Sequence, residues 1–179
     1  MNNGLRLFRV AGVDVYVDWT WAIVIFYFYY AYQRHTGIFT HQAHGLGFWA
    51  AFLFCYMLII LLHEFGHVFA CRWVGGKASR VTLSFMGGAT GVRPPQRAAA
   101  MLWSIAGGPL VNMIILPVTL LPSLYLLTTG RGGMGGAGAD FLAEVAWLNL
   151  VLLVLNMLPI YPMDGGQILR LVPTSKNSR

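Results

Sequence analysis

Four long apolar runs, separated by polar and glycine-containing stretches, organise this chain. They cover residues 17–33, 47–73, 98–128 and 141–159, and each reaches the ~17–25 residues that carry a helix across the hydrocarbon core of a bilayer. The first run is rich in Trp and Tyr between Trp19 and Tyr32, residue types that settle at a membrane–water boundary, and Arg6 and Arg9 stand just before it. No small-residue cleavage site follows it and Asp14 and Asp18 precede it, so it reads as a retained span rather than a removable signal. The intervening stretches are a His-containing segment at 33–46, a basic segment at 74–97 and the glycine-rich segment 130–138, which lacks the Lys-Ser/Thr of a phosphate loop and reads as a flexible linker. Within the basic segment, Val81-Thr82-Leu83-Ser84-Phe85-Met86 alternates apolar with polar, meets Gly87-Gly88, and continues as Ala89-Thr90-Gly91-Val92. That is a strand–turn–strand pattern. The pattern as a whole predicts an all-α polytopic membrane protein of about four transmembrane helices, with a short β-hairpin between the second and third.

Composition excludes the soluble alternatives. Hydrophobic residues make up 57% of the 179 positions and charged residues 10%, against about 25% charged in an ordinary soluble domain. The formal charge is +6, but the bases cluster between apolar runs, which points to a lipid bilayer and not to nucleic acid. With sides alternating across four spans, ten of the twelve Lys and Arg share one side: Arg6 and Arg9, the five from Arg72 to Arg97, and the three after the last span. The positive-inside bias then places both termini and the 74–97 segment in the cytoplasm of a multi-pass cell-membrane protein. Cys55 and Cys71 lie sixteen residues apart on one expected helix, about 24 Å at the standard rise, and cannot bridge each other. No internal repeat is visible.

Ionisable groups at membrane depth are unfavourable by about 3 kcal/mol each, so those that persist mark function. His63-Glu64-Phe65-Gly66-His67 places three of them towards the inner end of the second span. Four residues apart on a helix, His63 and His67 share a face at a separation suited to one metal ion, and Glu64 on the flank of that face can reach water at the ion as a general base. A catalytic zinc keeps three protein ligands, so a third must come from elsewhere. His35, His41 and His44 fall on the opposite side of the bilayer; His41 and His44 read as solvated loop residues, with a weak external metal site as the alternative. Asp164 follows the fourth span on the inner side, where Pro159 and Pro162 interrupt helix and Gly165-Gly166 permit a sharp turn. Broken helix at that depth needs a protein-lined or watery surround, which a metal site supplies. A zinc transporter or sensor could use the same ligands but leaves Glu64 without a task.

Three motifs in order, His63–His67, Ala106-Gly107-Gly108-Pro109-Leu110-Val111-Asn112, and the segment 155–166 ending in Asp164-Gly165-Gly166, resemble those of the site-2 proteases, intramembrane zinc metalloproteases. The resemblance covers residues 6–172 and implies a single metalloprotease core domain over 1–173, followed by a polar tail, 174–179. It implies Zn2+ held by His63, His67 and Asp164, with Glu64 as base, and peptide-bond hydrolysis in or near a transmembrane segment of a membrane-bound substrate, as in regulated intramembrane proteolysis. It also implies that Asn156 positions substrate or stabilises an oxyanion, and that the hairpin around Phe85, Gly87 and Gly88 is membrane-associated beside the zinc, where its free edge can pair with unwound substrate. Asn112 and the glycines before it read as packing residues. Two departures stand out: Asp18 occupies a position where the family commonly has His, and the further helices or soluble domain that many members carry after the third motif are not seen, so either this is a short or truncated form, or gating relies on the first helix together with a regulatory membrane partner or a second copy. No insertion long enough for a PDZ domain interrupts the chain.

Overall fold

Apolar and polar residues alternate before the first long run begins, and there the chain forms strands. A computed structural model describes residues 4–34, 45–84, 87–130 and 137–171. Strands β1 (Gly4–Val10) and β2 (Val13–Asp18) pair as an antiparallel hairpin closed by Ala11 and Gly12. Both turn residues have positive φ, 50° and 73°, the left-handed backbone whose twist suits a two-residue hairpin turn. Strands β3 (Lys77–Ser84) and β4 (Gly87–Arg93) form a second antiparallel hairpin, and β2 joins β3 in parallel, with Val15 opposite Val81 and Val17 opposite Leu83. The sheet order is β1-β2-β3-β4. Val13, Val15, Val81 and Leu83 all point into the core, while Asp14, Tyr16 and Thr82 between them do not.

This corrects the all-α expectation. The anticipated hairpin exists as β3–β4, but it is half of a four-stranded sheet, because two strands alone bury too little to stand and the N-terminal hairpin supplies the missing half. Phe85 and Met86 lie outside the described residues.

Parallel neighbours require a crossover, and two helices provide it here. Helix α1 (Trp21–Arg34) has 14 residues, about 21 Å, so the first expected span is a shorter helix than the 17–33 run suggested. Its start is displaced because Val17 and Asp18 belong to β2, and the Asp18 carboxylate accepts the Thr20 N–H at 2.9 Å where the chain turns into the helix. Helix α2 (Leu46–Trp73) returns to the sheet. It is followed, after β3 and β4, by α3 (Ala98–Thr129), α4 (Ala137–Asn156) and the short α5 (Asp164–Leu171). Three helices, α2, α3 and α4, are long and apolar enough to cross a membrane. Exposed Met113, Ile114, Val118 and Leu121 on α3 form the kind of apolar surface that lipid, rather than water, accommodates. The protein is thus a membrane protein, mostly helical, with a small sheet at one end.

Helix α3 is the packing centre of the bundle. At its crossing with α2, a Cβ on Gly66 would collide with the Gly107 carbonyl, and one on Gly107 with that of Gly66, so only glycine permits this approach. On the α4 side, Ser123 Oγ donates to Ala139 O at 3.0 Å and Asn149 Nδ2 to Asn112 O at 2.7 Å. The last turn of α4 ends at Asn156, and the turns through Pro159 and Pro162 lead directly into α5.

Candidate metal centre

The helical period of α2 sets His63 and His67 on one face, one turn apart, and places their Nε2 atoms 3.2 Å from each other. Asp164, the first residue of α5, brings Oδ2 to 3.2 Å from His63 Nε2 and 3.4 Å from His67 Nε2. All three side chains are buried. Donors at zinc's bond lengths of about 2.0–2.1 Å in a tetrahedral arrangement stand about 3.3 Å apart, which is the separation of these three atoms. Among the described residues this is the one group of three His, Cys, Asp or Glu side chains close enough to hold a metal ion. The donor types and their spacing fit zinc, with no fourth protein ligand.

Two of the three donors, His67 and Asp164, are held by identifiable neighbours. His67 Nδ1 lies 3.0 Å from Ser104 O and 3.3 Å from Gly108 N, so two backbone groups of α3 hold this nitrogen; the tautomer that donates from Nδ1 to the Ser104 carbonyl is the one that leaves the Nε2 lone pair for a metal. A Cβ on Gly108 would fall on the Nε2 atoms of both histidines, so Gly107-Gly108 serves two purposes: the first admits α2, the second leaves room at the donors. Asp164 is placed by the turn before it. Cβ atoms on Gly165 and Gly166 would strike backbone at Met157–Leu158 and Ile160–Tyr161, so these glycines let α5 sit against the segment that ends α4.

Glu64 is buried at 3% exposure, next to His63 on α2 and outside the donor group. Asn156 ends α4, partly buried, eight residues before Asp164. Gly87 and Gly88 begin β4, at an edge of the sheet; Phe85 lies outside the described residues, as do His35, His41 and His44. Cys55 and Cys71 are both free. Two residues escaped the reading of the sequence: Ser104, whose backbone orients His67, and Asn149, which ties α4 to α3. A polar residue inside an apolar span is the signal that could have found Asn149.

Comparison with known proteins supplies the context for this geometry. Residues 134–179, which include Asp164, match Peptidase family M50. A zinc metalloprotease of Methanocaldococcus jannaschii is 28% identical over 176 residues, 98% of this chain and 47% of that protein. Stage IV sporulation protein FB of Bacillus subtilis is 30% identical over 125 residues, 67% of this chain and 39% of that protein. The chain therefore spans less than half the length of these relatives. The solved structure of a site-2 protease from Methanocaldococcus jannaschii superposes with a TM-score of 0.74 at 26% identity, covering 98% of this chain and 74% of that one. Shared fold along nearly the whole chain, zinc metalloprotease relatives and a buried His-His-Asp cluster point the same way: the chain is similar to peptidase family M50 and to a site-2 protease of known structure.

Proposed function

We propose that this protein is a zinc-dependent endopeptidase that hydrolyses a peptide bond in or beside a transmembrane segment of a membrane-bound substrate. The observation that carries the reading is the meeting of two imidazole nitrogens and a carboxylate oxygen, drawn from α2 and α5, at the mutual spacing of zinc ligands. His63, His67 and Asp164 would hold the ion, which when bound supplies Lewis acidity to a scissile carbonyl and lowers the pKa of water. Glu64 takes the proton from the attacking water and returns it to the leaving nitrogen.

A peptide in lipid holds its backbone in helical hydrogen bonds and must unwind before it can be cut. Strand β4 supports a route for this, because as an edge strand it presents unpaired N–H and C=O groups to an extended substrate, with Gly87 and Gly88 at its start. Asn156, ending α4 ahead of Asp164, is the candidate to orient the substrate carbonyl. The sheet and the basic residues from Arg72 to Arg97 belong to the cytoplasmic side, so the site opens towards the cytoplasm and products leave there.

The test is zinc analysis of purified protein together with cleavage of a reconstituted transmembrane peptide. Glu64→Gln should keep wild-type zinc content while cleavage falls by at least the ~10²–10⁴-fold typical of losing a general base. Asp164→Ala should lower zinc content. Cleavage by the Glu64 variant at the wild-type rate removes the mechanism, and zinc bound without any cleavage in wild type favours a transporter or sensor.

A further inference from the structure

Near the metal centre, the buried polar atoms with no hydrogen-bond partner among the described residues include His63 Nδ1, Asn112 Nδ2 and Oδ1, and Asn149 Oδ1. Asn112 and Asn149 are both fully buried, at 0% exposure, in the interface between two membrane-crossing helices. Such groups are normally paired, by protein or by an internal water. The two histidines differ in this respect. His67 Nδ1 has the Ser104 carbonyl, whereas His63 Nδ1 has nothing equivalent.

Helices α2 and α3 run antiparallel where they cross. Ser104 meets His67, and Gly108 meets both His67 and His63, so each turn forward along α3 is a turn back along α2. Asn112 occupies the next turn, about 6 Å beyond Gly108, and helical side chains lean towards the N-terminus of their helix. Its carboxamide therefore leans back towards Gly108 and the level of His63. Asn149 Nδ2 donates to the Asn112 carbonyl and fixes α4 against that same turn. If His63 presents Nε2 to a metal, Nδ1 must carry a proton, and a ligating histidine almost always donates that proton to an acceptor. Asn112 Oδ1 is an acceptor without a donor.

We propose that Asn112, braced by Asn149, is a positioning residue for His63: through one buried water its carboxamide oxygen accepts the Nδ1 proton and holds the tautomer whose Nε2 faces the metal site. The inference rests on the reading of His63 as a ligand. It gives a chemical task to two asparagines that packing alone leaves half-satisfied, and it makes the two imidazoles equivalent, each with its outer nitrogen tied to α3.

The experiment uses the full chain in lipid nanodiscs, with 15N-labelled histidine and Zn2+ as the probe. Wild type should show His63 protonated on Nδ1. Asn112→Leu, which removes the acceptor, should shift His63 towards the Nε2-protonated form in the metal-free protein and weaken zinc binding about tenfold or more. Asn112→Asp keeps an acceptor oxygen and should stay close to wild type in both measurements. If Asn112→Leu does not fold, Asn112→Ala makes the same comparison. Lower thermal stability with unchanged tautomer and unchanged zinc affinity overturns the proposal, leaving the pair a helix–helix joint. A wild type that binds no zinc overturns the ligand reading instead, and the tautomer comparison in metal-free protein still decides the role of Asn112.

Discussion

The missing side chain of Gly108 is as specific a requirement of this centre as the imidazoles it faces. A methyl group there has nowhere to go, since it meets the donor nitrogens of His63 and His67 and not the flexible end of a neighbour. Gly108→Ala should therefore lower zinc affinity at least tenfold by moving the rings, which competition with a chromogenic chelator would measure, an effect of the size seen when the supports of a metal ligand are lost. Gly47→Ala is the control: a Cβ at Gly47 meets nothing within 4 Å, and the substitution should leave zinc binding unchanged. The donors themselves were legible in the sequence, because a helical period converts a spacing of four into a shared face and because Asp164 follows an apolar span that ends on the same side. Their supports were not. Ser104 acts through its backbone, which carries no residue-specific signal, and Asn149 acts on a partner 37 positions away.

Helix α2 joins the sheet to the centre, and its C-terminal end is secured by one side chain. Arg72 donates from Nη1 to Ala11 O at 2.6 Å and from Nη2 to Ala78 O at 2.9 Å, holding the turn of the first hairpin and the start of β3 together. Only a forked guanidinium reaches both carbonyls at once. Arg72→Gln should destabilise the N-terminal hairpin by about 1–3 kcal/mol, the range for charge-assisted hydrogen bonds, and limited proteolysis should show faster cutting before residue 20 while α3 and α4 stay intact. The strands that Arg72 braces were partly visible in the sequence: Val13-Asp14-Val15-Tyr16-Val17-Asp18 alternates more regularly than the 81–92 segment does. The membrane signal of the Trp- and Tyr-rich run that follows drew Val17 and Asp18 into an expected span. Length decided otherwise, because a strand covers about 3.3 Å per residue, so β2 uses chain that a longer α1 would have needed.

At the scale of the molecule, the parallel register of β2 with β3 states that the chain leaves the sheet and returns to it between residues 18 and 77. The N-terminal segment and the 74–97 segment are consequently held in one sheet, and the expectation from charge counting, that both lie on the cytoplasmic side, can be tested. With Cys55 and Cys71 replaced, single cysteines at Leu5→Cys and Lys77→Cys should behave alike: an impermeant maleimide added to intact cells should label neither, and after permeabilisation it should label both. Labelling of one without the other would break the sheet apart. Charge asymmetry supplied the expectation of sidedness, whereas the sheet that joins the two segments depends on pairing between residues more than sixty positions apart, for which a lone sequence has no ruler.

The donors also lie far apart in the order of synthesis. Two imidazoles emerge on α2, and the carboxylate that completes them arrives only with α5, about a hundred residues later. A nascent chain halted before that point holds two imidazoles but lacks the oxygen that closes the cluster. The order of synthesis thus leaves the cluster incomplete until α5 has been made.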